Sequence, residues 1–159
     1  RGLRSRAFDG EGLPTAARDI VTGGKITGWL LDTASAKQLG LAPTGHASRG
    51  GGASGVTASN LHLAAGTVSP EALMADISEG VYVTELIGQG VNPVTGDYSR
   101  GASGFVIRDG RIAGPIAEFT VAGNLVDMFA ALVPANDLIF RHATNVPTLR
   151  IDGMTVASG

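Results

Sequence analysis

Apolar stretches along this chain are short, and glycine separates most of them. Residues 81–87 (Val-Tyr-Val-Thr-Glu-Leu-Ile) are apolar and rich in β-branched and aromatic types, and 105–107 (Phe-Val-Ile) resume that pattern, so both predict strands. Asp109-Gly110 stands between 105–107 and Arg111-Ile112-Ala113, which makes 105–113 the clearest hairpin. Residues 18–31 offer two more apolar strands about Gly23-Gly24. Residues 60–66 alternate, with Leu61 and Leu63 on one face and His62 on the other. The tail 147–156 alternates Leu149 and Ile151 with polar residues and turns at Asp152-Gly153, predicting a final hairpin or strand pair.

Helix signals are fewer. Asp32 can cap a short helix over 33–39, which Gly40 stops. Ser69-Pro70-Glu71 opens a second helix with a capping hydroxyl, a proline at the first helical position and an acid beside the N-terminus, and Gly80 closes that segment. Over 122–133, Leu125, Met128, Phe129 and Leu132 fall at i, i+3, i+4 and i+7, predicting a third helix with one buried face and Asn124 as its cap. Residues 1–16 read as an extended entry turning at Asp9-Gly10, and 43–59, rich in glycine, serine, alanine and threonine, as a loop. Residues 20–28 can be laid on 106–114 without gaps, as a duplicated strand-turn-strand unit or as two hairpins of common patterning. The fold class these elements predict is α+β: a mainly antiparallel, short-stranded, barrel-like sheet with two or three short helices.

Residues 88–104 concentrate the polar chemistry. Asn92-Pro93 and Gly96-Asp97 are turn signals, so this stretch predicts a loop held between the strands at 81–87 and 105–107. Its candidate substrate-binding residues are Asp97, Tyr98, Ser99, Arg100, Gly101, Ala102, Ser103 and Gly104. Gly101 and Gly104 would let another backbone approach, Tyr98 would supply an apolar wall with a polar tip, and Arg100 could hold a carboxylate through its planar fork. The competing reading makes these residues braces for the turn, with Arg100 paired to Asp97 or another local acid.

Composition narrows the function. With 43% hydrophobic and 16% charged residues, 159 residues suffice for a globular core of one domain, and 24 glycines favour tight turns over long helices. A net charge of −2 with no basic cluster gives no footprint for nucleic acid. No apolar run reaches the roughly 20 residues that span a bilayer as a helix. With no cysteine there is neither a disulfide framework nor a thiolate ligand, which is compatible with a cytoplasmic protein. His46, His62 and His142 are far apart and none has a second ligand at i+3 or i+4, so no metal site is expected in this chain. Gly50-Gly51-Gly52-Ala53-Ser54-Gly55 matches a dinucleotide fingerprint by letter, yet no strand leads into it and no helix follows, so it reads as a flexible loop. Ser54, Ser99 and Ser103 lie in no nucleophile elbow and read as turn formers, and Asp97, Glu118 and Asp127 as solvated carboxylates. No catalytic residue is assigned.

Two long motifs carry a resemblance. The run Asn92-Pro93-Val94-Thr95-Gly96-Asp97-Tyr98-Ser99-Arg100-Gly101-Ala102-Ser103-Gly104-Phe105, with the segment from Gly114 to Phe129, resembles the C-terminal region of the TldD/PmbA family on its TldE side, whose older label is modulator of DNA gyrase. The segments Ser5 to Pro14 and Leu30 to Gly40 are similar to stretches shared by TldD and TldE. The resemblance implies that residues 1–159 are a single C-terminal domain of a longer protein, as the absence of an initiator methionine also leads one to expect. It further implies a heterodimeric zinc protease acting on peptides and unfolded segments. In that family the zinc is held on TldD by a His-Glu-x-x-x-His helix, which would lie upstream of Arg1, and by a cysteine near the C-terminus, which should lie within these residues and does not occur. The implied role is therefore the non-metal-binding subunit, with zinc on a TldD-like partner. Two other classes stay open, a pure assembly module without substrate contact and a self-contained hydrolase, and so does a homo-oligomer of the isolated chain.

Overall fold

The computed structural model describes residues 2–52 and 55–158. Its strands in chain order are β1 (Val21–Thr22), β2 (Lys25–Ile26), β3 (Ala47–Ser48), β4 (Gly55–Val56), β5 (Leu61–His62), β6 (Glu79–Ile87), β7 (Asp97–Arg108), β8 (Arg111–Asn124), β9 (Val133–Pro134), β10 (Thr144–Asn145), β11 (Leu149–Arg150) and β12 (Thr155–Ser158). The helices are α1 (Thr33–Leu39), α2 (Pro70–Met74) and α3 (Leu125–Ala131). These elements form two units: the chain up to His62 with Phe140–Asn145, and Leu63–Ile139 with the segment from Val146 onward.

In the first unit polar side chains do much of the organising. Gly23 (φ 56) and Gly24 (φ 75) make the left-handed turn that joins β1 to β2. Asp32 caps α1 by accepting from the Ser35 amide at 2.8 Å, and Gly40 (φ 66) ends it in the left-handed conformation. The Asp9 carboxylate takes three main-chain amides, Glu11 and Leu13 at 2.9 Å on Oδ1 and Ala47 at 3.0 Å on Oδ2. It thereby ties the entry turn to β3. Residues 43–59, expected as a loop, contain the antiparallel pair β3 and β4. Ala53 and Ser54, part of the glycine-rich run read as a flexible loop, lie outside the described residues. β5 is two residues long and pairs in parallel with β10.

In the second unit Asp109 (φ 47) and Gly110 (φ 75) form the tight turn that the sequence predicts, joining β7 to β8. The sheet order is β12-β8-β7-β6, antiparallel throughout. Ala102, Phe119 and Val121 form its buried centre, and Val81, Val83, Tyr98, Ile116 and Met154 pack on them. Thus the fold is mixed, mainly antiparallel, with few helices. It does not show the barrel-like closure expected: the sheet ends on β6 and β12. Nor are its main strands short, since β6, β7 and β8 run 9, 12 and 14 residues. The tail also departs from the expected pair: β11 joins β9, and β12 joins β8.

Helix starts follow the sequence, while one helix face does not. Ser69 accepts from the Ala72 amide at 3.2 Å with Pro70 at the first helical position. Asn124 caps α3 through the Val126 amide at 3.0 Å. Phe129, expected on its buried face, is 71% exposed; the half-buried residues of this helix and its end are Leu125, Met128, Ala131 and Leu132.

Burial of Asp9 by itself would raise its pKa; the amides of Ala47, Glu11 and Leu13, helped by Arg6, outweigh that and hold it below the usual carboxylate value. A depressed folded value means that its contribution is fully present above the unfolded pKa of about 3.9 and is lost as pH falls through the folded one. The thermal midpoint should therefore fall on acidification from about pH 5 to pH 3. Asp9→Asn should lower the midpoint at neutral pH and flatten that slope, as read by calorimetry across the range.

Candidate functional site

The turn over residues 92–97 is built by its own polar side chains. Asn92 Oδ1 accepts from the Val94 amide at 3.0 Å and the Thr95 amide at 3.3 Å, and the Gly96 amide donates to the Asn92 carbonyl at 2.8 Å. Thr95 Oγ1 donates to Asp97 Oδ2 at 2.6 Å. The same turn is bolted to the start of α3: Asn124 Nδ2 donates to the Thr95 carbonyl at 3.0 Å and the Leu125 amide to the Gly96 carbonyl at 2.7 Å. Gly96 needs its φ of +82 here, and a side chain on it would meet Asn124 Oδ1 at 2.8 Å. The signals Asn92-Pro93 and Gly96-Asp97 thus mark one structural turn.

Beyond the turn, the expected loop is a strand. Asp97 to Ala102 pair with Asn124 to Phe119 of β8 on one side. On the other, Gly101 pairs with Ile87 of β6, the Ser99 amide donates to the Gly90 carbonyl at 2.7 Å, Tyr98 bridges Val91, and the Asn92 amide donates to the Asp97 carbonyl at 2.8 Å. The main chain of the eight candidate residues is therefore engaged within the sheet, which corrects the reading of an exposed backbone. The physical reason lies in the glycines: a side chain on Gly90 would come within 1.6 Å of the Ser99 carbonyl and one on Gly104 within 2.0 Å of the Tyr82 carbonyl. They permit close approach, but to their own sheet.

The side chains divide. Ala102 and Gly104 are buried, Asp97 and Ser99 are exposed, and Tyr98, Arg100, Gly101 and Ser103 are half-buried. Tyr98 lines a cavity of about 590 Å³ against the sheet. Arg100 Nη2 donates to the Leu86 carbonyl at 3.1 Å, while its Nε is buried with no partner. No ion pair joins Arg100 to Asp97; the salt bridges recorded among the described residues are those of Arg150 with Asp76 and with Asp152, the latter at 2.8 Å. The hydrogen bonds that Arg150 donates to Asp152 and Asp76 raise its pKa, and the bond to Asp76 holds that carboxyl below the usual carboxylate range.

Two bulges converge on Ser103, a feature that residue patterning does not announce. Val83 pairs with Gly104 and Glu85 with Ser103, so Thr84 is an extra residue in β6. In β8, Ala117 and Glu118 together occupy the place opposite Ser103, between the pairs Ala102 with Phe119 and Gly104 with Ile116. Glu118 takes φ 57, the left-handed conformation that such a bulge imposes and that glycine would take more readily.

Among the described residues no group of three or more His, Asp or Glu side chains is placed to hold a metal ion. His46 Nδ1 lies 2.7 Å from the Thr44 carbonyl, and His62 meets Phe140 edge-on at 5.2 Å. No serine is paired with a histidine among the described hydrogen bonds, so this geometry gives no support to a self-contained hydrolase. Also among the described residues, no helix is long and apolar enough to cross a membrane.

Residues 1–158 match the family model of the PmbA/TldA metallopeptidase C-terminal domain. The chain is 42% identical over 158 residues to metalloprotease PmbA of Escherichia coli O157:H7, covering 99% of this chain and 33% of that protein. A solved structure from Thermotoga maritima, described as a candidate modulator of a DNA gyrase, superposes with a TM-score of 0.87 at 31% identity, covering 98% of this chain and 36% of the other. TldE from Thermococcus kodakarensis superposes with a TM-score of 0.86 at 25% identity, over 98% and 37%. The chain thus spans about a third of the length of these relatives.

The glycine contacts separate two neighbours on one strand. Gly104→Ala should cost about 3 kcal/mol or more, because backbone must move to admit the methyl. Gly101→Ala, whose new methyl would meet Ile87 Cβ at an ordinary 3.6 Å, should stay within about 1 kcal/mol of the parent. Denaturant unfolding of both variants checks the contrast.

Proposed function

The chain belongs to the PmbA/TldD metallopeptidase family, and on that premise we propose that it is the C-terminal domain of the TldE-type, non-metal-binding subunit of a two-subunit zinc peptidase. In this reading it helps to shape the chamber in which peptides and unfolded segments are cut, in the cytoplasm, and the zinc belongs to a TldD-like partner. The observation that carries the proposal is the likeness to metalloprotease PmbA along 99% of the chain. The chain has no cysteine, and among its described residues no group of His, Asp or Glu is placed to hold a metal ion, which is compatible with this role.

The surface supports a covered state. Phe8 and Trp29 in the first unit and Val126 and Phe129 in the second are each at least 60% exposed.

Within the candidate stretch, Arg100 and Tyr98 are the side chains this reading assigns to substrate. Arg100 is half-buried, with Nη2 on the Leu86 carbonyl and Nε buried without an acceptor, and this reading gives its remaining guanidinium N–H groups a substrate carboxylate. The engagement of Asp97–Gly104 within the sheet favours the second reading, an assembly module without substrate contact, and mutation separates the two. In the complex reconstituted with its partner, Arg100→Ala should lower kcat/KM for peptide cleavage by roughly tenfold or more, with a stability loss of about 1 kcal/mol from the Leu86 hydrogen bond. Unchanged cleavage by Arg100→Ala and by Tyr98→Ala would leave only the assembly role.

The family-level claim has its own test. Native co-purification should bring down a partner carrying a His-Glu-x-x-x-His helix, with zinc on that partner. Stoichiometric zinc on this chain alone, lost on substitution of two of His46, His62 and His142, would refute the non-metal-binding role.

A further inference from the structure

The chain has three methionines, Met74, Met128 and Met154, and two tyrosines, Tyr82 and Tyr98. All five line the same cavity of about 590 Å³ in the second unit. They come from α2, α3, β6, β7 and the segment before β12, so local sequence does not explain their convergence. The rest of the wall is mainly aliphatic, with Leu73, Val83 and Val121 among its members. Thioether side chains are flexible and polarisable, and walls made of them accept apolar groups of differing shape. The volume lies in the range of ligand-binding cavities rather than packing defects.

The cavity also lies against an edge strand. Glu79, Gly80, Val81, Tyr82 and Val83 are consecutive on β6 and all line it. Side chains alternate between faces along a strand, so a hollow lined by five residues in a row meets main chain as well as side chains there. β6 pairs with β7 on one side and with no strand on the other among the described residues. An unpaired main-chain edge next to an apolar hollow calls for an occupant with both features, amides and carbonyls in extended spacing and a bulky apolar side chain. A lipid or small hydrocarbon would fill the hollow and leave the edge unpaired.

We infer that this cavity is a side-chain subsite for a bulky apolar residue of an extended peptide whose backbone adds to the free edge of β6. The inference rests on the proposed peptide-handling role and gives it a substrate class: segments with an exposed leucine, methionine or phenylalanine, as unfolded chains present. β-Strand addition leaves most positions unread, and the Met-lined hollow then reads one of them loosely.

Methyl-labelled methionine makes the cavity its own reporter. In the whole protein that carries this chain, the Met74, Met128 and Met154 methyl resonances are assigned by single Met→Leu substitutions and followed during titration with capped heptapeptides. One peptide has a central leucine, the other a central serine. The leucine peptide should shift all three resonances saturably and bind roughly tenfold more tightly, or better, than the serine peptide. Met154→Trp, which fills the hollow, should abolish the difference between the two peptides while the protein remains folded by its amide spectrum. No shift with either peptide, or equal shifts and affinities with both, would overturn the inference. Because the readout is binding to this chain, a positive result beside an inactive reconstituted complex would refute the peptidase reading alone.

Discussion

Everything in the second unit depends on β7 being paired along both of its sides. A strand held in this way must have neighbours that come close, and the chain meets that demand with glycines at Gly90 and Gly104, where a side chain would strike the Ser99 and Tyr82 carbonyls. The cost is geometric. Where β7 passes Ser103, both neighbours carry one residue too many, Thr84 in β6 and the Ala117–Glu118 step in β8. Bulges on both sides of one position bend the sheet and deepen its local twist.

What the sheet leaves unpaired then becomes informative. With β7 closed, the eight candidate residues offer side chains but no backbone, and the open main chain lies one strand away on β6. A subunit that handled many unrelated sequences would have reason to expose an edge rather than a set of specific donors, since main-chain pairing reads no side chain. The first unit has the opposite character. Its order rests on carboxylates and hydroxyls serving backbone amides, as Asp9, Asp32 and Thr44 do, while Phe8 and Trp29 remain largely exposed. Such a unit has little apolar burial of its own to lose and a good deal to gain from a neighbour.

The sequence was legible where a local rule acts alone. Asp32 and Gly40 bound α1, Ser69-Pro70 opens α2, Asn124 opens α3, and Asp109-Gly110 turns the hairpin, each through bonds that span only a few residues. It was not legible where a distant partner decides. Glycine at 90, 96 and 104 resembled loop punctuation, and only the positions of Ser99, Asn124 and Tyr82 show why the turn and the sheet need it there. Likewise, Leu149 and Thr155 looked like members of one hairpin because nothing local reveals that β9 and β8 are their partners. The candidate site was half visible: Tyr98 and Arg100 were identifiable by type, but the cavity joins residues from 70 to 156 and has no motif.

The central claim is that residues 98–102 form an interior strand and that β6 is the edge. Hydrogen–deuterium exchange followed by residue tests this most directly, because an amide paired inside a sheet exchanges only when the sheet opens. The account predicts strong protection at Ser99, Gly101 and Ala102, alternating protection along 80–87, and a gain of protection in β6 alone when an extended peptide is added. Exchange of Ser99 to Ala102 at the rate of an open loop, or protection of every amide along 80–87 before any peptide is present, would contradict it.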